Sequence, residues 1–188
     1  MEFVQPIRDR KKIEAMKKIL KADNLRDYCL FVLGINSGLR ISDLLKLKVG
    51  DVMENGKVKE RIVVREKKTG KTKDFPLGDS AKKAISEYMK SRGEYTQDEA
   101  LFPSRKGGTP LTRQHAYRII NDAARAVGIT EQIGTHTLRK TFGYHAYQSG
   151  VDITRIQKLL NHSAPSVTLA YIGITQEELD DVYVNLNL

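Results

Sequence analysis

The sequence predicts an α+β domain that is mainly α-helical, with a small antiparallel β-sheet inserted between helices. Three observations carry this. Apolar residues recur at helical spacing through most of the 188-residue chain. Between residues 54 and 78 that period gives way to strand-like runs, with turns at Asn55-Gly56 and Thr69-Gly70. The length and a hydrophobic content of 40% suit one domain with a substantial core.

The elements follow in order. Residues 9–23, DRKKIEAMKKILKAD, place Ile13, Met16, Ile19 and Leu20 on one helical face. Residues 24–38, NLRDYCLFVLGINSG, are apolar nearly all round, which marks a buried helix ending near Ser37-Gly38. SDLLKL reads as a short helix capped by Ser42, and residues 51–53 as an edge strand. ENGKVKERIVVRE and KTKDFPLG are the strands of the sheet. Helices resume at residues 79–93. Thr112 opens the next and Gly128 closes it; Thr135 and Asp152 open two more. Ser163 with Pro165 opens a short helix that carries Tyr171. Thr175 and Glu178 form a capping box before the final helix.

Composition narrows the function. A net charge of +9 favours a polyanionic partner, nucleic acid foremost. The excess belongs to residues 1–158: beyond Lys158 there is no Lys or Arg, while Glu177, Glu178, Asp180 and Asp181 make the tail acidic. The single cysteine, Cys29, excludes a disulfide framework and a cysteine-based zinc site. No run approaches membrane-spanning length and the N-terminus lacks an apolar signal core. The expectation is a soluble, cytoplasmic, nucleoid-associated protein.

Several residues could carry chemistry, each weak evidence alone. His136 and Arg139 lie three apart at a helix start, where unpaired N–H groups favour phosphate. Arg40 follows a buried helix, and Asp43 three residues on could pair with it or aim its guanidinium at a phosphate. Lys68 sits at a hairpin tip, from which it could reach into a groove; Lys67 and Lys71 compete for that role. Tyr171 stands nine residues after His162 and, taken alone, reads first as a packed core ring.

Taken together, SGLR, the hairpin lysine before PLG, HTLR, LLNHS and Tyr171 fall in one order. This order closely resembles the catalytic domain of the tyrosine recombinases, the phage integrases among them. The resemblance runs from about residue 8 to the end. It implies a DNA-breaking and rejoining fold, a double-stranded DNA partner, and no metal or nucleotide cofactor. It implies that Arg40 and Arg139 clamp the nonbridging phosphate oxygens and that His162 adds a hydrogen bond. Tyr171 would attack to give a 3′-phosphotyrosyl bond, Lys68 would protonate the leaving 5′-oxygen, and His136 would handle the tyrosine proton.

The sequence departs from the family pattern in places. Lys140 follows Arg139 where histidine is common, and Asn161 precedes His162 where glycine is common; asparagine also suits a left-handed helix end. Family members usually carry an N-terminal core-binding domain, whereas here residues 1–7 form a short arm before a catalytic domain at 8–174. Residues 175–188 form a helical tail whose Leu179, Val182 and Leu186 make an apolar stripe. That stripe docks on the chain's own core or on a neighbouring protomer, giving dimers or tetramers on DNA. Lys46, Lys106, Arg113 and Arg118 are candidate DNA-backbone contacts. Two other readings stay open: a DNA-binding regulator that kept the fold without its chemistry, and a type IB topoisomerase-like relaxing enzyme.

Overall fold

Helix α2 (Leu25–Ser37) is the axis of the computed structural model, which describes residues 4–105 and 107–186. Its Leu30, Phe31 and Leu33 are fully buried. Around it pack α1 (Arg10–Asp23), α5 (Asp79–Arg92) and α7 (Thr137–Gln148). Asp9 caps α1 by accepting from the Lys11 amide, and Ile13, Met16 and Leu20 face inward. Ile19, expected on the same face, is 40% exposed. It borders an open groove between α1 and α6 (Arg113–Ala126), because the buried stripe of α1 is one residue narrower than the apolar pattern.

The segment after α2 turns on Gly38, whose φ is +60°. A side chain there would be strained, and its Cβ would lie 2.6 Å from Phe142. Helix α3 (Ile41–Leu44) then starts two residues early, with Arg40 rather than Ser42 at the N-cap. Residues 51–53 are not an edge strand. Helix α4 (Val49–Val52) occupies them because Val49 and Val52, one helical turn apart, are both fully buried; only Met53 enters a strand.

The predicted sheet is two separate antiparallel ribbons. Strand β1 (Met53–Glu54) pairs with β2 (Lys57–Val58), and β3 (Arg61–Arg65) with β4 (Thr72–Pro76). The longer ribbon runs in register from Arg61 opposite Pro76 to Arg65 opposite Thr72. The break falls at Lys59 and Glu60, where the Lys59 amide donates back to Val52 and the Glu60 carbonyl accepts from Leu77. Ile62 points into the core while Val63, on the other face, stays 57% exposed.

A second, smaller core joins α7 to α8 (Ile153–Leu159) and α9 (Pro165–Ile172) through Tyr144, Ile156, Leu160 and Ile172. Helix α7 therefore faces both cores, with Leu138 toward α2 and Gly143 under Ile172. The N-terminal segment is woven into this. Ile7 is buried; its amide donates to Thr141 Oγ1 and its carbonyl contacts His145 Nε2. Arg8 Nη2 donates to the Gly173 carbonyl at 2.7 Å, so residues 7–8 strap α7 to the end of α9. Helix α10 (Gln176–Leu186) is capped as expected by Thr175 and Glu178 but buries none of its described side chains. Among the described residues no helix is long and apolar enough to cross a membrane.

The contact between α2 and α7 is tight enough to test. A Cβ at Gly34 would lie 2.5 Å from Leu138 Cδ1, a side chain that is itself 2% exposed. Gly34→Ala is expected to cost about 1–3 kcal/mol through overpacking. Urea unfolding should show a lower midpoint with an unchanged slope.

Candidate active site

Four parts of the chain bring the predicted residues to one face. Arg40 lies in extended conformation at the N-cap of α3 (φ −66°, ψ 146°), so its side chain leaves the helix rather than following it. Arg139 sits in the first turn of α7 and is 2% exposed. His136 is the residue just before α7, at the rim. His162 follows α8, where Asn161 takes the left-handed conformation (φ +51°) that the asparagine suggested. Tyr171 occupies the last turn of α9, which Pro165 opens.

Arg139 is held by backbone. Nη1 donates to the Gly38 carbonyl at 2.6 Å and Nη2 to the Leu160 carbonyl. One guanidinium thus pins the end of α2 to the end of α8. Arg40 is not paired with Asp43. An i,i+3 pair needs both residues on a helix, and Arg40 stands outside it. Its Nη1 lies 2.9 Å from Glu66 Oε2, an ion pair without hydrogen-bond alignment, and has no hydrogen-bond partner despite burial. Asp43 instead accepts the Lys67 amide at 2.9 Å, which anchors the β3–β4 hairpin.

The hydroxyl of Tyr171 lies 3.3 Å from His136 Nδ1. Its ring meets the His162 ring edge-on at 4.8 Å, and Lys140 Nζ stands 5.1 Å from its centroid. Burial pushes the Tyr171 phenol up, while Arg139 and Arg40 pull it down by less. A base is needed to ionise it. Desolvation, with Arg113 and other cations nearby, pushes His136 below its usual value, so it is neutral at pH 7 and able to accept a proton. The other tyrosines near in sequence differ: Tyr144 donates to Glu178, and Tyr183 is 82% exposed on α10.

His162 Nδ1 lies 3.0 Å from the Thr168 hydroxyl, which is buried. The same hydroxyl lies 3.4 Å from the Ala164 carbonyl; the shorter contact to the ring, with Thr168 as donor, puts the ring proton on Nε2, where it can point at an anion. Desolvation, then Arg139 and Arg40, lower its pKa to about 4. The folded value is below the unfolded one of about 6.5. Its contribution to stability is therefore present above pH 6.5 and lost as the pH falls toward 4. An NMR titration of the DNA-free protein should find His162 neutral at pH 6, and His162→Gln should flatten the stability profile across that window.

Lys68 lies exposed in the turn between β3 and β4. Two charged residues that no sequence motif singles out lie inside. Lys73, on β4, donates to the Ser37 carbonyl at 2.9 Å; desolvation, then Arg139, lowers its pKa to about 8. Glu66 is 1% exposed and touches Arg40, Thr69 and Asn161. The alternation of β4 puts Lys73 on the same side as Phe75, which is the signal the sequence offers for it. Glu66 gives none, because its partners are distant in sequence.

Of the proposed DNA contacts, Lys46, Arg113 and Arg118 are exposed. Arg113 donates to Thr135 Oγ1 at 3.3 Å, close to His136, whereas Arg118 lines the groove beside α1. Lys106 lies outside the described residues.

The family profile described as the phage integrase family matches residues 9–178. The chain is 48% identical over 183 residues to the probable integrase/recombinase YoeC of Bacillus subtilis, covering 97% of each. It is 35% identical to the tyrosine recombinase XerD of Corynebacterium glutamicum, covering 85% of this chain but 52% of that protein. The fold matches the crystal structure of XerA recombinase with a TM-score of 0.79 at 24% identity, over 100% of this chain and 67% of that one.

Proposed function

Because this chain belongs to the phage integrase family, as a tyrosine-type recombinase, we propose that it cuts and rejoins DNA at specific sites through a 3′-phosphotyrosyl intermediate. The observation that carries this reading is the Tyr171 hydroxyl beside His136 Nδ1, in a cluster that also contains His162, Arg40 and Arg139.

In the forward step Tyr171 Oη attacks the scissile phosphorus and the P–O5′ bond breaks. The tyrosine proton passes to His136 Nδ1. Arg40, Arg139 and the Nε2–H of His162 meet the charge that grows on the nonbridging oxygens. Arg40 suits this task because the Glu66 carboxylate, 2.9 Å from Nη1, holds its guanidinium in the cluster. Lys68 supplies the proton to the departing 5′-oxygen once DNA covers the hairpin. In the return step a 5′-hydroxyl attacks the phosphotyrosyl bond and Tyr171 leaves. The ester retains the energy of the broken bond, so the scheme needs neither metal nor nucleotide.

DNA is the partner, drawn by the basic body, with Lys46, Arg113 and Arg118 on backbone phosphates. Affinity should fall steeply with salt. We assign residues 8–174 to catalysis and residues 175–188 to a tail that docks on a neighbouring protomer on DNA. This fits the exposure of Leu179, Val182 and Leu186. The protein works in the cytoplasm, at the nucleoid.

The test is covalent trapping on nicked suicide duplexes carrying candidate sites, in the presence of a chelator. A denaturation-resistant protein–DNA band on some duplexes and not others supports a recombinase. Site-independent relaxation of supercoiled plasmid would favour the topoisomerase-like reading. Tight, site-selective binding without a band on the bound duplex would favour the regulator.

A further inference from the structure

A buried acid in a site built for phosphate is an odd placement. Glu66, just after β3, has a side chain with no exposed surface. Its Oε2 lies 2.9 Å from Arg40 Nη1, accepts from Thr69 Oγ1 at 2.8 Å and from Asn161 Nδ2 at 2.9 Å. Its Oε1 is 3.9 Å from Arg139 Nη1 and has no hydrogen-bond partner. The backbone of the same residue closes the hairpin turn: its amide donates to Lys71 and its carbonyl accepts from Gly70.

Those partners lie far apart in the chain. Arg40 precedes α3, Thr69 sits next to Lys68 in the turn, and Asn161 is the residue before His162. A single carboxylate therefore touches three of the segments that carry the proposed chemistry. Its negative charge should also weaken attraction for a phosphate, so affinity for DNA cannot be why it is there. Although burial favours the neutral acid, Thr69, Arg40 and Asn161 together hold Glu66 below the usual carboxylate range. It is ionised at neutral pH.

We infer that Glu66 is a positioning residue for strand cleavage, whose buried carboxylate orients Arg40 and ties the Lys68-bearing turn to the His162 loop while weakening the hold on DNA. This rests on the strand-cleaving reading. Glutamine in its place would keep the size and one acceptor oxygen but lose the charge, and would set Arg40 free.

The experiment has two arms. In the first, Glu66→Gln is compared with the unaltered protein for duplex binding and for single-turnover adduct formation. Binding should tighten several-fold while adduct formation slows by roughly 100-fold, the scale expected when a reacting group is misplaced by about 1 Å. A merely structural role predicts no such opposition. Unchanged or weaker binding, or adduct formation near the unaltered rate, overturns the inference. In the second arm, Glu66→Ala is followed by hydrogen exchange without DNA. Amides in residues 67–71 and 161–163 should both exchange faster while α2 keeps its protection. A rise confined to the turn, or one that spreads through α2, overturns the coupling. If the unaltered protein forms no adduct on any duplex, the strand-cleaving reading fails by itself. The exchange arm still decides whether Glu66 links the two loops.

Discussion

Tyr171→Phe is expected to abolish the covalent protein–DNA adduct and to leave noncovalent DNA binding nearly unchanged. The substitution removes one oxygen, and in the proposed scheme that oxygen is the nucleophile. Nothing else should suffer much. The ring keeps its edge-on contact with His162 and its place beneath Lys140. The hydroxyl makes a long hydrogen bond to His136 and is in hydrogen-bond contact with the Arg139 guanidinium, which keeps its backbone anchors at Gly38 and Leu160. A single neutral hydrogen bond contributes about 0.5–1.5 kcal/mol, so the fold survives its loss. The check is denaturing electrophoresis of the suicide-duplex reaction beside a binding titration at fixed salt. An adduct that persists in the Phe variant would move the nucleophile to another tyrosine.

Arg139→Lys should slow adduct formation by about 100- to 1,000-fold, the range seen when one preorganised donor to a developing oxyanion is lost. The reasoning begins with shape. The planar guanidinium reaches the carbonyls of Gly38 and Leu160 at once. An ammonium on a shorter, flexible stem cannot span both while also facing a phosphate. One buried carbonyl is left without its donor, which costs about 1–3 kcal/mol. Stability and rate should therefore fall together, unlike in Tyr171→Phe. Single-turnover adduct formation and urea unfolding on the same preparation test this. A variant with normal stability and a normal rate would remove Arg139 from the mechanism.

Most of the site's composition is legible in the amino-acid sequence. Arg40, His136, Arg139, His162 and Tyr171 belong to short motifs whose order carries the meaning. The left-handed Asn161 and the Thr175–Glu178 cap are legible too, because each depends on a few adjacent residues. The partner of Arg40 is not. Sequence proximity favours Asp43, but an arginine in extended conformation outside its helix reaches the hairpin, where Glu66 waits. Lys73 is hidden in a run of lysines that differ only in burial. The edge strand expected at residues 51–53 fails for a related reason: a stretch of three residues is too short for its period to separate a helical turn from a strand.

Local chemistry thus accounts for the helices, their caps, the hairpins, and the basic body and acidic tail, while the candidate reacting groups come from the resemblance their motifs carry. These follow from backbone preference, side-chain spacing and charge, which neighbouring residues carry with them. The tertiary structure decided who faces whom. It put Glu66 among Arg40, Thr69 and Asn161, set Arg139 across Gly38 and Leu160, and strapped α9 with Arg8. Such contacts join residues as much as 165 positions apart. They exist only once two cores close around α7, because burial turns weak, water-screened attractions into fixed geometry.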